Sequence, residues 1–160
     1  MKIDESWYLK PKSKNFAKSV SAGGIVVRKE KGRLLIALIG TDYYGDYTLP
    51  KGSQKNGEKI ETTARREIAE EAGLADLKLI CKLGIKERFS FEKTDWKVIH
   101  FFLFETKSSR GQQNLQKGEE DLKLSWFDLD NLPPIFWPEQ KEVIEESKEK
   151  IKSLFSRQFS

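Results

Sequence analysis

The stretch GSQKNGEKIETTARREIAEEAGL, residues 52–74, decides how this chain is read. Its second half sets Glu67, Glu70 and Glu71 three and four positions apart beside an apolar stripe. Like charges at those spacings repel on a helix surface, at about 0.2–0.5 kcal/mol for each close pair. At about 100° per residue, Ile60, Ala64, Ile68 and Ala72 cover roughly a third of the helix circumference. On the same wheel Glu67 and Glu71 fall within or beside that arc, with Glu70 about 60° beyond them. The carboxylates therefore line a margin of the packed stripe, where water is partly excluded. Grouped there, they either take up protons or hold a cation. A divalent metal resolves the repulsion and the desolvation together. The plainer alternative is a solvated face salt-bridged by Arg65, Arg66 and nearby lysines.

Outward from this segment the sequence alternates strands and turns. AGGIVVRK (22–29) and RLLIALIG (33–40), separated by EKG, read as a hairpin of buried strands. A tyrosine-rich loop leads into the short YTLP, after which Pro50 and Gly52 are expected to break regular structure. The helix is expected over residues 58–72, with Gly73 at the left-handed C-terminal position. LKLICKL (77–83), IKERFSF (85–91) and WKVIHFFLFE (96–105) read as three strands, the last two joined by EKTD. A polar loop (107–121) precedes a further strand, LKLSWF, and a single turn is expected over 128–132. The last helix starts near Pro138, a favoured first helical position, and buries Val143, Ile144, Ile151, Leu154 and Phe155. Residues 1–18, Lys-rich and without a period, read as a partly ordered arm. There is no internal repeat and no linker, so the expectation is one domain over 1–160, of α+β class or an α/β/α sandwich.

Composition narrows the chemistry. With one His and one Cys, a thiolate or imidazole zinc site is disfavoured, and any metal should be held by oxygen ligands: Mg²⁺, Mn²⁺ or Ca²⁺. A Ser-His-Asp or Cys-His arrangement would have to use His100, which sits in the apolar run VIHFFLF. The lone Cys81 excludes an intrachain disulfide and fits a reducing, cytoplasmic setting. No apolar run approaches a membrane span, and the N-terminus has no signal-peptide pattern. The net charge of +4 is a small excess within a dense mixture and does not by itself argue for a polyanionic partner.

Residues 52–74 fill every fixed position of G-x5-E-x7-R-E-[ILV]-x-E-E-x-G-[ILV]: Gly52, Glu58, Arg66, Glu67, Ile68, Glu70, Glu71, Gly73 and Leu74. This resembles the box of the Nudix hydrolase superfamily, and AGGIVV and SWFDLDNLPP resemble the flanks of that fold. The resemblance implies a Nudix-like α/β/α sandwich with a mixed sheet and a loop-helix-loop box. It also implies hydrolysis of a phosphoanhydride in a nucleotide-type substrate with Mg²⁺ or Mn²⁺. Under it Glu67, Glu70 and Glu71 are the metal ligands, with Gly52 beside them, and Glu58 and Arg66 pair across loop and helix. A general base is expected from the box or from Glu119 or Glu120, with Asp121 less favoured. The chemistry suits the residues: divalent ions neutralise a pyrophosphate, position its phosphorus and lower the pKa of a bound water. Where many relatives carry a proline before Gly57, this chain has Asn56, a difference in loop stiffness.

Substrate choice lies outside the box. LPKGS, KVIHFFLFE and PPIFWPEQKEVI resemble small diadenosine-tetraphosphate hydrolases, which implies a dinucleoside polyphosphate substrate. By that resemblance Phe101, Phe136 and Trp137 are the positions for base stacking, with Tyr43, Tyr44 and Tyr47 as further options. Lys51, Arg88 and Lys86 are candidates for phosphate. The alternatives are a pyrophosphohydrolase of nucleoside triphosphates or of an RNA 5′ end, and a Nudix module that senses a nucleotide without cleaving it. A monomer or a homodimer is expected.

Overall fold

A computed structural model describes residues 2–40 and 45–156. Seven strands form one mixed sheet: β1 (Lys18–Glu30), β2 (Arg33–Gly40), β3 (Tyr47–Thr48), β4 (Lys51–Ser53), β5 (Lys78–Phe89), β6 (Trp96–Glu105) and β7 (Lys123–Asp128). Helix α1 (Ile60–Ala72) follows β4, and α2 (Pro138–Ser156) closes the chain. The central order is β3-β2-β1-β6-β5, with β4 on β1 and β7 on β2. Among the described residues only β1 and β6 pair as parallel strands, over Lys18–Val27 and Trp96–Glu105; the other strand pairs are antiparallel.

The apolar runs of β1, β2 and β6 are continuous because both faces of the sheet are covered. Successive strand residues point to opposite faces, and the two cores follow that parity. Ile25, Val27, Ile36, Leu38, Phe101 and Leu103 pack with Val143, Ile144, Ile151 and Phe155 of α2. Val26, Ala37, Ile39, Phe102 and Phe104 pack with Ala64, Ile68 and Ala72 of α1. The fold is thus an α/β/α sandwich of α+β class, as the sequence predicts. No helix among the described residues is long and apolar enough to cross a membrane.

Two expectations are corrected. LKLICKL and IKERFSF form one strand, β5, bent by register shifts at Leu79/Cys81 and Lys82/Gly84 rather than broken; bulges bend a strand without ending it. The segment after Pro50 is not irregular: Lys51, Gly52 and Ser53 pair with Gly23, Ala22 and Ser21. Ahead of β1 a 3-10 turn, Glu5–Tyr8, packs beside β5.

Candidate active site

Helix α1 begins without a side-chain cap on Lys59; Glu58 supplies the local anchor instead. Its carboxylate accepts from Lys55 N at 3.1 Å, from Thr63 Oγ1 at 2.7 Å, and from both Nε (2.7 Å) and Nη2 (2.9 Å) of Arg66. Such two-point Arg–carboxylate contacts are the strong form of the interaction. Arg66, then Thr63, hold the Glu58 carboxyl down to about 2. Arg66 reaches on, through Nη2 to the Ser53 carbonyl at 2.8 Å and through Nη1 to Glu67 Oε1 at 2.7 Å and Glu70 Oε2 at 3.3 Å. One guanidinium therefore ties the loop to the helix and offsets the repulsion between two of the three glutamates.

Glu71 lies deepest. Its Oε1 accepts from the backbone N–H of Lys51 at 2.9 Å, and burial pushes its carboxyl up to about 8. Burial also raises Glu67, against the lowering pull of Arg66, and Glu70 and Glu119 add to the rise. The charge of Glu119 acts on both Glu67 and Glu71, so the polar loop brings this carboxylate to the helix face. That loop is stapled to the end of α1. Asn114 N donates to Glu70 O at 2.8 Å, and Gln113 Nε2 donates to Glu71 O at 2.6 Å and to Leu122 O at 3.0 Å. Glu120 turns away, exposed, and accepts from Gly118 N within its own loop at 2.9 Å. Of the adjacent pair, Glu119 is the one at the site.

A cavity of about 640 Å³ opens beside these residues. Its lining combines Lys51, Glu71, Glu119 and Asp121 with Ile39, Leu49, Phe91 and Trp137. Burial, then the charges of Arg88 and Lys97, lower the Lys51 ammonium. Phe91 went unnoticed in the sequence because an aromatic after a strand reads as core; its place at the tip of the β5–β6 connection puts it on the cavity wall.

Other expectations are corrected here. Phe101 is fully buried among Ile25, Leu103 and the residues of α2, so no base can stack on it. Arg88 is not a surface residue, and its charge is felt at Lys51 from a buried position. It is 1% exposed, lies over the Trp137 ring at 3.3 Å, and its Nε donates to Glu139 Oε2 at 2.8 Å. Phe136 packs at 5.1 Å from Trp137 and 6.0 Å from Phe91, outside the cavity lining. Tyr47 packs edge-on to Phe127 and lines a neighbouring cleft. Lys86 is held by Glu142 and Glu146 of α2. Tyr43 and Tyr44 lie outside the described residues.

The donor set is wholly carboxylate, which matches hard ions such as Mg²⁺ or Mn²⁺. Among the described residues no three acidic, His or Cys side chains stand close enough together to hold a metal as they are. Glu67 and Glu70 are turned to Arg66, so coordination requires rotation of these side chains away from the guanidinium.

Comparison with known proteins agrees with this geometry. The NUDIX domain model matches residues 18–147, and the chain belongs to that family. An RNA pyrophosphohydrolase from Pelagibacter ubique is 24% identical over 152 residues, covering 83% of this chain and 91% of the relative. An 8-oxo-dGTP diphosphatase from Haemophilus influenzae is 30% identical over 119 residues, covering 72% and 82%. Among solved structures, an Ap4A hydrolase from C. elegans superposes with a TM-score of 0.66 at 20% identity, over 84% of this chain and 98% of that one. The protein is a Nudix pyrophosphohydrolase, a hydrolase of phosphoanhydrides in nucleotide substrates. Such enzymes generally use a divalent metal ion.

Proposed function

We propose that this protein hydrolyses a dinucleoside polyphosphate, of the type of diadenosine tetraphosphate, to two nucleotides with Mg²⁺ or Mn²⁺. The observation that carries this reading is one cavity lined both by apolar and aromatic side chains, Ile39, Leu49, Phe91 and Trp137, and by the charged Lys51, Glu71 and Glu119. Its volume is that of a site for one small ligand. It suits one base and its adjoining phosphates, while the second nucleoside extends outward.

In this reading Glu67, Glu70 and Glu71 hold the metal, with Gly52 bringing its backbone against Glu67. The ion, when bound, neutralises the phosphates and activates a water. Glu119 is the general base, and Lys51 meets phosphate as a point charge. Phe91 holds the base by stacking, a contact worth about 1–3 kcal/mol, with Trp137 packed edge-on beside it. Glu58 and Arg66 keep the helix and its loop in register.

The test is a hydrolysis panel of wild type and Glu70→Gln with Mg²⁺, resolved by chromatography. It contains diadenosine tetraphosphate, nucleoside triphosphates, ADP-ribose and 5′-triphosphorylated RNA. Fastest turnover of diadenosine tetraphosphate to ATP and AMP, lost in the variant, is the expected result. Pyrophosphate release from a triphosphate or an RNA 5′ end as the dominant reaction would replace the substrate assignment. Full activity of Glu70→Gln would remove that residue from the metal site.

A further inference from the structure

The segment preceding the matched domain touches two cavity-lining elements, the β5–β6 connection and the start of α2, through two consecutive residues. Trp7 Nε1 donates to the Phe91 carbonyl at 3.3 Å, at the tip of the β5–β6 connection. Tyr8 OH donates to Glu139 Oε1 at 2.6 Å, in the first turn of α2 and two residues from Trp137. Ser90, Phe91, Glu92 and Thr94 of the connection and Trp137 and Gln140 at the start of α2 all line the cavity, and the Phe91 and Trp137 rings meet edge-on at 6.4 Å.

The turn itself is clamped from both directions. Asp4 caps it, accepting from Ser6 N at 2.8 Å, and Lys93 donates to Ser6 Oγ at 2.6 Å while lying 4.1 Å from the Trp7 ring. None of the four residues is buried. A single 3-10 turn is not stable by itself, and here these side-chain contacts hold it in place. Within the connection, Ser90 N donates to Asp95 O, and Thr94 N donates to Ser90 Oγ. Those bonds fix the internal shape of the connection; what crosses from it to the start of α2 is the ring contact of Phe91 with Phe136 and Trp137, together with the bonds of Trp7 and Tyr8.

We infer that residues 2–10 are a strut for the base-binding part of the cavity, fixing Phe91 and the β5–β6 connection against the start of α2. This rests on the nucleotide reading above. The strut touches neither the glutamates of α1 nor Glu119, so it governs affinity for the nucleoside portion and leaves the bond-breaking step alone. Trp7 and Tyr8 are positioning residues in this scheme.

The experiment compares wild type, Tyr8→Phe, Trp7→Ala and a deletion of residues 2–10. Initial rates are taken on whichever nucleotide the wild type hydrolyses fastest, with AMP binding by calorimetry and a thermal melt for each variant. The expected result is a rise in KM and in the AMP Kd of about tenfold for the deletion and about threefold for Tyr8→Phe, with kcat little changed. Tyr8→Phe removes one hydroxyl and keeps the ring, so it still decides the matter if the deletion fails to fold. Unchanged KM and Kd in folded variants, or a kcat that falls in step with the melting temperature, would overturn the strut while the nucleotide reading stands. If the wild type hydrolyses no nucleotide, that reading fails, and AMP calorimetry alone decides: weaker binding in the variants supports the strut, and no binding by wild type removes it.

Discussion

Gly52 lies against the Glu67 carboxylate so closely that a Cβ on residue 52 would stand 2.0 Å from Oε2 and 2.1 Å from Cδ. With Glu67 in the rotamer that meets Arg66, only a hydrogen fits between residue 52 and this carboxylate. The Gly52→Ala variant must therefore displace Glu67 or separate the strand from the helix. Misplacing a group in an active site by about 1 Å can cost on the order of a hundredfold in rate. We expect a loss of that order in kcat, with a melting temperature much closer to wild type. Steady-state kinetics with a thermal melt checks it, and near-normal kcat would mean that Glu67 is not needed where it stands.

The division between Glu119 and Glu120 gives a second prediction. Each accepts one backbone N–H of its loop, but Glu119 lines the cavity and its charge acts on Glu67 and Glu71, whereas Glu120 is exposed and lies outside the lining. A general base contributes about 10²–10⁴-fold. Glu119→Gln should lower kcat within that range, and Glu120→Gln should leave it near wild type. The reverse pattern in a rate assay would exchange their roles.

These two residues mark what the sequence could and could not reveal. The period of the apolar residues identified the first hairpin, both helices, β6 and β7, because burial writes itself into spacing. The carboxylate set of α1 was legible for the same reason, being a departure from that spacing. Long-range partners were not legible. Nothing in KERF announces that Arg88 meets Glu139, 51 residues later on α2. Nothing in LPKGS announces that Lys51, Gly52 and Ser53 pair with β1. The misplacement of Phe101 had a remedy in hand: it shares strand parity with Ile99 and Leu103, the face that α2 covers. Phe91 lacked such a signal, since only the hairpin's position over the cavity gives it a role.

Metal binding should depend on pH through Glu71. Its carboxyl is raised to about 8 by burial, so at neutral pH it is largely protonated before an ion arrives. A ligand carboxylate must be ionised, so Mg²⁺ affinity should rise by up to about tenfold per pH unit between pH 6 and 8, then level off. The sign for stability is opposite in the absence of metal. A carboxyl raised above its unfolded value contributes stability that is fully present below that unfolded value and is lost as pH rises through the folded one. Metal-free protein should therefore lose stability between about pH 5 and 8 from this group, and saturating Mg²⁺ should reverse that slope. Thermal melts across this range with EDTA or with Mg²⁺ test both signs. Parallel curves would show that Glu71 does not ligate the ion.

The pair Arg88–Glu139, at 1% and 3% side-chain exposure, yields the last prediction. Removing one member leaves the other charged and buried, a cost of about 3–5 kcal/mol. Glu139→Gln keeps the shape and loses the charge, so its melting temperature should fall by on the order of 10 °C. Replacing both together, as Arg88→Met with Glu139→Leu, should recover much of that loss, because no lone charge remains. If Arg88 instead served mainly to bind phosphate, Glu139→Gln would melt close to wild type and the double variant would gain no stability over it. The melts of the two variants against wild type separate these outcomes, and the geometry favours the first: the guanidinium is covered by the Trp137 ring on one side and bonded to Glu139 and the Phe89 carbonyl.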